Sequence, residues 1–485
     1  MDAGRPDAAR VPAVGDPFDP FGTARAAAAA IKARQVSPLE VLDVCLARVD
    51  AVNDRLNAVI WRNDDEARDA ARAAGEVVLR SEAGDLAPFH GVPLPIKDVT
   101  PVAGWPVTYG SWSAPEGGSE YSQLVVEAFM RAGFILCART NTPEFGELLV
   151  TENDRYGITR NPWDLDRTAG GSSGGAGAAV AGGLFPIAHG NDGGGSIRIP
   201  ASCCGLVGLK VSRGRVPRLV NGWEGGVVEG VLTHDVADTA AVLDLICGPD
   251  RGQWYNAPPP ERPFLAEVGA GTGQLRVGLL EVDPLGLGTE PTCVAAARDA
   301  AAALEKIGHR VEPVAYEVPD EFLTAFLKVV NSGLADYEGN WDRTEPHTRA
   351  NRAAAEAIDS LSYVRSVHEL QRWSRGFVAR WGRDFDVLLS PSMAIEPPGA
   401  GEILAAVHEA ADGAGPALQL LQMGVFAGAF NMSGQPAISL PTYVSLSGLP
   451  IGVQLVAGPW DEALLFRVAS QLEDALPWAG RHPAL

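Results

Sequence analysis

The chain has 485 residues, of which 46% are hydrophobic and 20% charged, a composition typical of globular proteins. Its 39 basic and 60 acidic residues give a net charge of −21, which repels the phosphate backbone of nucleic acids, and no run of Lys or Arg offsets it. We therefore expect no nucleic-acid partner, and the six cysteines predict no zinc motif because none has C-x-x-C or Cys/His zinc spacing.

The N-terminal region is expected to begin with a tail and continue into helices. Residues 1–20 are rich in Pro, Gly and Asp, which predicts a loosely ordered tail. They lack the basic start and apolar core of a signal peptide, so we expect a cytoplasmic protein. Two helices are predicted next. The second begins at Ser37 in the sequence SPLE, which combines an N-cap, a first-turn proline and a capping-box glutamate. Residues 65–80 predict a further helix.

Helical and β-rich segments alternate through the rest of the chain. YSQLVVEAFMRAG precedes FILCA, ADTAAVLDLICG precedes LRVGLLE, and PTCVAAARDAAAALEKIG precedes HRVEPV. FDVLLSPS, PAISLP and PIGVQLVAG predict buried strands, and DEALLFRVASQLEDAL predicts a closing amphipathic helix. This alternation indicates an α/β architecture with helices on both faces of a buried sheet. Gly/Pro-rich connections at 249–274 and 393–402 predict the bounds of an inserted, mostly helical lobe.

A stretch without charged residues, TAGGSSGGAGAAVAGGLFPIAHGN, occupies residues 168–191. It contains too much Gly and Ser to cross a bilayer, which requires about 20 predominantly apolar residues. Its second half is too apolar for a solvated linker. No G-x-x-x-x-G-K-[ST] is present, and no G-x-G-x-x-G follows a predicted strand. We therefore expect neither a membrane segment nor a nucleotide cofactor.

The same stretch contains candidate nucleophiles. Gly171–Gly175 matches G-x-S-x-G, the nucleophile elbow of α/β-hydrolases, which would make Ser173 the nucleophile. That elbow requires a strand directly before the serine, whereas RNPWDLDRTAG predicts a loop. The alternative is a pair of serines 24 positions apart, Ser172 and Ser196, each in glycine-rich backbone. Serine needs a neighbouring base to become a strong nucleophile.

A lysine can supply that base. Lys97, one of only five lysines, lies among apolar residues in HGVPLPIKDVTPV. Burial lowers the pKa of a lysine, so its neutral amine can accept a proton near neutral pH. The glycines beside each serine permit unusual backbone geometry and leave N–H groups free to point at an oxyanion.

Three ordered motifs, GVPLPIKD, GGSSGG and DGGGSIR, closely resemble those of the amidase signature family of Ser–cis-Ser–Lys hydrolases. The resemblance extends to RNPWD, ASCCGLVGLKVSRGRVP, FNMSGQPAISLPTY and GLPIGVQLVAGPWDEALL, and so covers most of the chain. It implies a single large α/β domain over residues 21–485 with a central mixed β-sheet. It also implies a catalytic core at about 85–215 and a variable, substrate-shaping region at about 318–425.

The resemblance implies a three-residue relay. Ser196 would attack the carbonyl carbon, Ser172 would follow a cis peptide bond and bridge Ser196 and Lys97, and neutral Lys97 would be the base. Ser172 would then protonate the leaving amine, and water would release the acid from the acyl-enzyme. No metal or cofactor is expected.

Further roles follow from the same motifs. The resemblance implies that an oxyanion hole is formed by the N–H groups of Gly193, Gly194, Gly195 and Ser196. It implies hydrogen-bonding support for the relay from Ser173, Asp192 and Arg198. Gly193 stands where relatives often carry Thr, Ile or Ala, a departure that predicts a looser loop.

The 170–210 segment and FNMSGQPAISLP look most like the nylon-oligomer (6-aminohexanoate cyclic dimer) hydrolase branch and related urethanases. This resemblance implies an amidohydrolase that cleaves small, fairly apolar amides or carbamates, with esters also cleaved, in a monomer or homodimer. Three alternatives stay open: a glutamine amidotransferase subunit of a tRNA transamidosome, an α/β-hydrolase that uses Ser173, and a non-catalytic binding protein. The acidic charge disfavours the first, and the complete set of relay residues disfavours the third.

Other conspicuous residues are expected to have packing roles. The adjacent Cys203 and Cys204 lie in an apolar segment, and His90 and His189 are expected to be hydrogen-bonded core groups. The tryptophans considered for a pocket, but expected to pack in the core or on the surface, are Trp61, Trp105, Trp112, Trp223 and Trp341.

Overall fold

The computed structural model describes residues 18–410 and 418–485. Most of the predicted tail, residues 1–17, lies outside the described residues, as does the segment 411–417 of the predicted variable region. The helices are α1 (Ala24–Lys32), α2 (Pro38–Leu56), α3 (Asp64–Arg80), α4 (Leu124–Arg131), α5 (Gly174–Ala181), α6 (Arg198–Cys204), α7 (Gly222–Gly225), α8 (Val236–Ile246), α9 (Pro291–Ile307), α10 (Asp320–Ser332), α11 (Pro346–Glu356), α12 (Ser360–Val378), α13 (Glu402–Ala410), α14 (Leu418–Gly424), α15 (Gly428–Ser433) and α16 (Glu462–Ala475). The strands are β1 (Val59–Arg62), β2 (Pro93–Lys97), β3 (Ile135–Thr140), β4 (Glu152–Asn153), β5 (Gly157–Ile158), β6 (Arg160–Asn161), β7 (Asp164–Thr168), β8 (Ala188–Asp192), β9 (Val207–Lys210), β10 (Val228–Thr233), β11 (Arg276–Leu279), β12 (Arg310–Pro313), β13 (Val387–Pro391), β14 (Ala437–Val444) and β15 (Pro450–Val456).

The predicted start of α2 is confirmed in atomic detail. Ser37 Oγ accepts the N–H of Glu40 at 3.2 Å, and Glu40 Oε2 accepts the N–H of Ser37 at 2.7 Å. These two bonds form a reciprocal capping box, which satisfies backbone donors that a helix end otherwise leaves unpaired. None of the helices in the described part of the chain combines the length and apolarity needed to cross a membrane.

The central sheet has eight strands in the order β12-β11-β13-β15-β14-β9-β10-β8. Strand β11 pairs in parallel with β12 and β13, and the other neighbours pair antiparallel, so the sheet is mixed. Every residue of β9, β13 and β15 is buried. Because successive side chains of a strand point to opposite faces, both faces of the sheet are covered. The predicted architecture, one α/β domain with a covered mixed sheet, is confirmed.

A smaller sheet brings the predicted base to the edge of the large one. Strands β1, β3 and β2 form this three-stranded sheet, in which β2 and β3 are parallel. Strand β2 packs beside β8, the edge strand of the central sheet. Lys97 ends β2 and Asp192 ends β8, so the two sheets together position the site described below.

Two expectations about connections are wrong. RNPWDLDRTAG is a short hairpin of β6 and β7 rather than a loop, and its mostly polar residues lack the alternation that would have predicted strands. The predicted lobe between 249–274 and 393–402 is not separate, because β11, β12 and β13 lie within those bounds and join the central sheet. The helices α10, α11 and α12 follow one another between β12 and β13.

Candidate active site

The glycines of GGSSGG allow three backbone segments to approach one another closely. The glycines that leave no room for a side chain are Gly171, Gly174 and Gly175. A Cβ at these positions would lie closer than 3.0 Å to atoms of Val150, Thr151 and Asn141, respectively. The peptide bond between Gly171 and Ser172 is cis, as expected from the resemblance. The motif therefore reflects close packing around Ser172 rather than chain flexibility.

Lys97 lies at the centre of the candidate site and is fully buried. Its Nζ lies 2.7 Å from Ser172 Oγ and 2.7 Å from Asn191 Oδ1. Burial lowers the pKa of Lys97 to about 7, although the negative charges of Glu229 and Asp192 act in the opposite direction. A neutral amine here can donate to the Asn191 carbonyl and accept the hydroxyl proton of Ser172.

A buried polar network surrounds the backbone of Lys97. His189 Nδ1 accepts the Lys97 N–H at 3.4 Å, and its Nε2 lies 3.0 Å from Glu229 Oε2, so this histidine is a hydrogen-bonded core group. Burial acts to raise the pKa of the Glu229 carboxyl, but the guanidinium of Arg218 and the bond from His189 hold it below its ordinary value. The ionised Glu229 thereby limits how far burial depresses the pKa of Lys97.

Asp192 shapes the loop that carries Ser196. Its Oδ1 accepts the N–H of Gly195 at 2.8 Å, and its Oδ2 accepts the N–H of Ile197 at 3.1 Å. The guanidinium of Arg198 adds two bonds to the same carboxylate, from Nη2 at 2.9 Å and from Nε at 3.0 Å, and its backbone N–H adds a third at 3.4 Å. Burial acts to raise the pKa of Asp192, yet the charge and hydrogen bonds of Arg198 hold it well below its usual range.

The predicted oxyanion hole is wrong at one position, Gly195. The N–H of Gly195 donates to Asp192 and is not available to a substrate oxygen. Gly195 also has a φ of +129°, a left-handed conformation that favours glycine. Asp192 and Gly195 thus set the course of the chain, and Gly193, Gly194 and Ser196 remain as candidate donors.

Arg198 anchors the loop to the C-terminal half of the chain. Its Nη1 donates to Gln454 Oε1 at 2.7 Å and to the carbonyl of Ala427 at 3.1 Å, and its Nη2 donates to Asn431 Oδ1 at 2.6 Å. Asn431 returns a bond to Asp192 Oδ1 at 3.0 Å. Sequence reasoning missed Asn431 and Gln454, although both lie in C-terminal segments that carried the family resemblance.

The two serine motifs touch through Ser173. Its N–H donates to the carbonyl of Ser196 at 3.2 Å, and its hydroxyl donates to the carbonyl of Asn191 at 3.2 Å. Among the described residues, no hydrogen bond joins Ser196 Oγ to Ser172 Oγ, so the second link of the predicted relay stays a prediction. Sequence reasoning also missed Asn191, the partner of Lys97, although it directly precedes the DGGGSIR motif.

Ser196 and Gly194 line a cavity of about 490 Å³. Its wall is mainly aliphatic and aromatic, with contributions from α10, α14 and residues 146–149. The predicted variable region, 318–425, supplies most of this wall. Two ionisable side chains, Glu147 and His347, also reach the cavity. A cavity of this size and polarity is typical of a small-molecule site.

Trp223 lies in the cavity wall, so the expectation that it only packs in the core or on the surface is wrong. A Cβ at Gly193 or Gly333 would lie closer than 3.0 Å to its indole ring. The ring therefore occupies the space that Thr, Ile or Ala would need at position 193. The departure of Gly193 from the family pattern is explained by this aromatic neighbour rather than by a looser loop.

The other sequence candidates lie in packing positions. Cys203 and Cys204 are buried, and His90 Nε2 hydrogen-bonds the carbonyl of Ala74. Trp61 and Trp105 contact one another in the small-sheet region, with ring centroids 4.8 Å apart. The remaining two tryptophans have arginine or aromatic neighbours: Trp112 and Trp341.

The contact between position 193 and the indole predicts a specific coupling. Gly193→Ala is expected to lower the free energy of unfolding by about 1–3 kcal/mol, because the added methyl group overpacks the site. When Trp223→Leu is combined with Gly193→Ala, most of this loss of unfolding free energy should disappear. Urea unfolding of both single variants and the double variant measures the coupling.

Gly194→Ala is the matched control, because a Cβ there would meet only the Phe326 ring, at 4.0 Å. We expect a smaller loss of stability for Gly194→Ala than for Gly193→Ala. Strictly additive costs for Gly193→Ala and Trp223→Leu would contradict the steric explanation.

The chain is similar to known proteins over most of its length. The family model Amidase matches residues 40–466. The chain is 38% identical to 6-aminohexanoate-cyclic-dimer hydrolase from Paenarthrobacter ureafaciens, covering 96% of this chain and 97% of the relative. It is 35% identical to an acylamidase from Rhodococcus erythropolis, covering 94% and 96% of the two chains. A solved structure of 6-aminohexanoate cyclic dimer hydrolase complexed with substrate has a TM-score of 0.87 at 35% identity, covering 96% and 99%.

The matched region contains the whole cluster of Lys97, Ser172 and Ser196 together with the cavity beside it. The two relatives align over nearly the full length of both chains, so no large part of this protein lies outside the comparison. The chain therefore belongs to the amidase signature family and is a hydrolase that acts on the C–N bonds of amides.

Proposed function

We propose that the protein hydrolyses small, fairly apolar amides or carbamates through an acyl-enzyme formed on Ser196. The observation that carries this proposal is the pair of Lys97 and Ser172, whose Nζ and Oγ atoms lie 2.7 Å apart beside the cavity that Ser196 lines. Burial lowers the pKa of Lys97 to about 7, so a large fraction of the amine is neutral at that pH. A neutral amine next to a hydroxyl is the base that a serine nucleophile requires.

The proposed reaction runs as two proton relays. Lys97 accepts the proton of Ser172 while Ser172 accepts that of Ser196, and Ser196 Oγ bonds to the substrate carbonyl carbon. The oxyanion then meets N–H donors of the loop at Gly193, Gly194 and Ser196. Ser172 protonates the amine as the C–N bond breaks, and Lys97 returns its proton to Ser172. Water then attacks the acyl carbon while it gives a proton to Ser172, and Ser172 passes its own proton to Lys97. As the acid leaves, Ser172 protonates Ser196 Oγ and Lys97 again returns its proton to Ser172.

The proposed substrates follow from the cavity and from the relatives. An apolar wall favours acyl or amine groups without charge, and about 490 Å³ accommodates a small organic molecule. The relatives are named for the cyclic dimer of 6-aminohexanoate and for acylamide cleavage. We therefore include nylon-type oligoamides, anilides and aryl carbamates, the last being urethane hydrolysis. Esters belong to the same group because their carbonyl carbon accepts the same nucleophile.

The alternatives fit less well. A transamidosome subunit would act on glutamine within a complex, whereas the relatives reported above are hydrolases that align over nearly their full length. An elbow serine at position 173 would need an exposed hydroxyl, but Ser173 is fully buried and donates to a backbone carbonyl. We propose a cytoplasmic monomer or homodimer that needs no nucleic acid or membrane, consistent with the strongly acidic charge.

A substrate panel tests the proposed function. Product release is measured by mass spectrometry for an aliphatic amide, an anilide, a linear nylon dimer, an aryl carbamate, an ester and glutamine. Each reaction is run in parallel with the Ser196→Ala variant. We expect cleavage of the anilide, oligoamide or carbamate by the unaltered protein alone. Turnover of glutamine alone would favour the amidotransferase role, and turnover of nothing would favour the binding protein.

The pH dependence of kcat/KM should follow the deprotonation of Lys97. Only the neutral amine accepts a proton, so kcat/KM is expected to rise as pH increases through about 7 and then to level off. Asn191→Asp places a carboxylate at the atom that now accepts from Nζ, which favours the ammonium form. That variant should therefore move the midpoint of the profile to higher pH.

Asn331→Asp is the matched control, because it adds the same charge in the cavity wall without contacting Lys97. Its midpoint should move less than that of Asn191→Asp. Equal shifts in the two variants, or a profile that falls through pH 7, would rule out Lys97 as the titrating base.

A further inference from the structure

Three potential metal ligands lie together behind one wall of the cavity, which His347 lines. Glu345 directly precedes α11, His347 lies in the first turn of that helix, and His408 lies in α13. Their ligand atoms all lie within 4.8 Å of one another. Glu345 Oε2 is the common point, 3.5 Å from His347 Nδ1 and 3.2 Å from His408 Nε2. The relay of Lys97 and the two serines does not use this cluster.

One ring nitrogen of the cluster, His347 Nδ1, makes no hydrogen bond to the described residues. His347 is 5% exposed, and its Nδ1 is buried without a hydrogen bond among the described residues. Buried polar nitrogens are nearly always satisfied, so this one needs an explanation. It points toward Glu345, whose Oε1 accepts the N–H of Asp154 at 2.9 Å. That bond fixes the carboxylate and leaves Oε2 to face both imidazoles.

Three carboxyl groups lie around the cluster, and among the described residues no lysine or arginine pairs with Glu147 or Glu345. Glu345 donates its N–H to Glu144 Oε2 at 2.7 Å, and Glu147 lies on the far side of His347. In the part of the chain that the structure describes, the ion-pair partners of Glu147 and Glu345 are histidines. Buried carboxylates are usually paired or bound to a metal, and a divalent cation would supply the missing charge.

The other nitrogen of His347 lies near a hydroxyl and a carboxyl group. Its Nε2 lies 3.9 Å from Glu147 Oε2 and 3.4 Å from Thr348 Oγ1. Glu147 is itself held by Thr348 Oγ1 at 2.9 Å and by Asn351 Nδ2 at 3.2 Å. A carboxylate behind a histidine orients the ring and leaves the opposite nitrogen free to bind a metal.

We propose that Glu345, His347 and His408 bind one Zn²⁺ ion at this point. Two imidazole nitrogens and one carboxylate oxygen form a ligand set that zinc uses in proteins, with water in the fourth position. Ligand atoms about 2.0–2.2 Å from zinc lie roughly 3.3–3.5 Å apart in a tetrahedron, close to the separations of Glu345 Oε2 from the two histidine nitrogens. His408 is only half-buried, which provides the entry path for the ion.

The ion would join two walls of the cavity. From α11, His347, Ala350 and Asn351 line the cavity, and from α13 so do Val407 and Ala410. A metal that bridges these helices would tie together two walls of the cavity that Ser196 also lines, outside the proton relay. This inference is independent of the proposed function, since it concerns binding and stability rather than turnover.

Metal binding to tag-free protein tests the proposal. Protein stripped with a chelator and dialysed is titrated with Zn²⁺ by calorimetry, and bound zinc is counted by mass spectrometry of the metal. Binding of Co²⁺ is followed by its visible absorption, which reports tetrahedral coordination. The variants are Glu345→Gln and His408→Ala, and the control is His368→Ala, which removes an exposed histidine outside the cluster.

We expect one zinc per chain and a higher unfolding temperature with zinc for the unaltered protein and for His368→Ala. His408→Ala and Glu345→Gln should lose both the bound zinc and the rise in unfolding temperature that zinc causes. If Glu345→Gln does not fold, His408→Ala is the variant that tests the proposal. The His408 side chain is only half-buried, so its removal leaves no large cavity in the core. Absence of stoichiometric zinc in the unaltered protein, or unchanged binding in folded His408→Ala, would overturn the proposal.

Discussion

Ser196→Ala is expected to lower kcat by about 10⁵-fold, with the fold retained. The proposed acyl-enzyme forms on Ser196 Oγ, and alanine has no atom that can form this bond. The side chain is 5% exposed and lines the cavity, so its removal leaves no large void in the core. The measurement is turnover of the best panel substrate, together with circular dichroism of the variant.

The acyl-enzyme offers a second readout for the same variant. Rapid quenching of the unaltered protein with an activated ester should add the acyl mass to the peptide that contains Ser196, and Ser196→Ala should show no such addition. Ser447→Ala, in an exposed loop, is the matched serine control and should behave like the unaltered protein. Normal turnover by Ser196→Ala would exclude Ser196 as the nucleophile and favour the alternative in which Ser173 is the nucleophile.

Lys97→Met is expected to lower kcat/KM by about 10³–10⁴-fold, because the relay loses its base. Methionine fills a similar volume without an amine, so the variant separates the loss of the proton acceptor from the loss of packing. A fully buried amine is costly to desolvate, and its replacement by an apolar side chain should not lower the free energy of unfolding. Turnover and urea unfolding together test both statements.

A second buried lysine provides the control. Burial also lowers the pKa of Lys210 to about 7, but its Nζ donates to the carbonyl of Val211 and contacts neither serine of the relay. Lys210→Met should therefore reduce kcat/KM far less than Lys97→Met. Equal losses in both variants would mean that burial of a lysine, rather than contact with Ser172, determines the effect.

The losses of activity caused by Ser196→Ala and Lys97→Met should not be additive. Nucleophile and base act as one unit, so the double variant of Ser196→Ala and Lys97→Met is expected to be about as slow as Ser196→Ala alone. Additive losses would show that Lys97 contributes to some step other than activation of Ser196, such as substrate positioning.

Local sequence patterns were sufficient to predict much of the fold. The capping box at Ser37, the helices around 38–56 and 64–80, and the buried strands near the C-terminus all depend on residues a few positions apart. Hydrophobic periodicity and turn chemistry act over that range, so they can be recognised without knowing the tertiary structure. The pairing of Lys97 with Ser172 was predicted from the resemblance of three motifs to the amidase signature family, and the apolar setting of Lys97 was consistent with it.

Only the tertiary structure could show which groups complete the site. Arg198 meets Gln454 across 256 positions, Lys97 meets Asn191 across 94, and Trp223 meets Gly193 across the cavity wall. These contacts depend on strand order and on the packing of two sheets, which no local pattern encodes. The same holds for Gly195, whose N–H was expected to face the substrate and instead donates to Asp192.

The sequence by itself thus determined the α/β class and the charge-free glycine–serine segment, because both follow from residues close together in the chain. Its motifs predicted the three residues of the proposed relay through their resemblance to the amidase signature family. The tertiary structure decided the shape of the cavity, the hydrogen-bond partners of the relay and the cluster at Glu345. Side chains far apart in the chain define each of these, and the free energy of burying them together is a property of the whole fold.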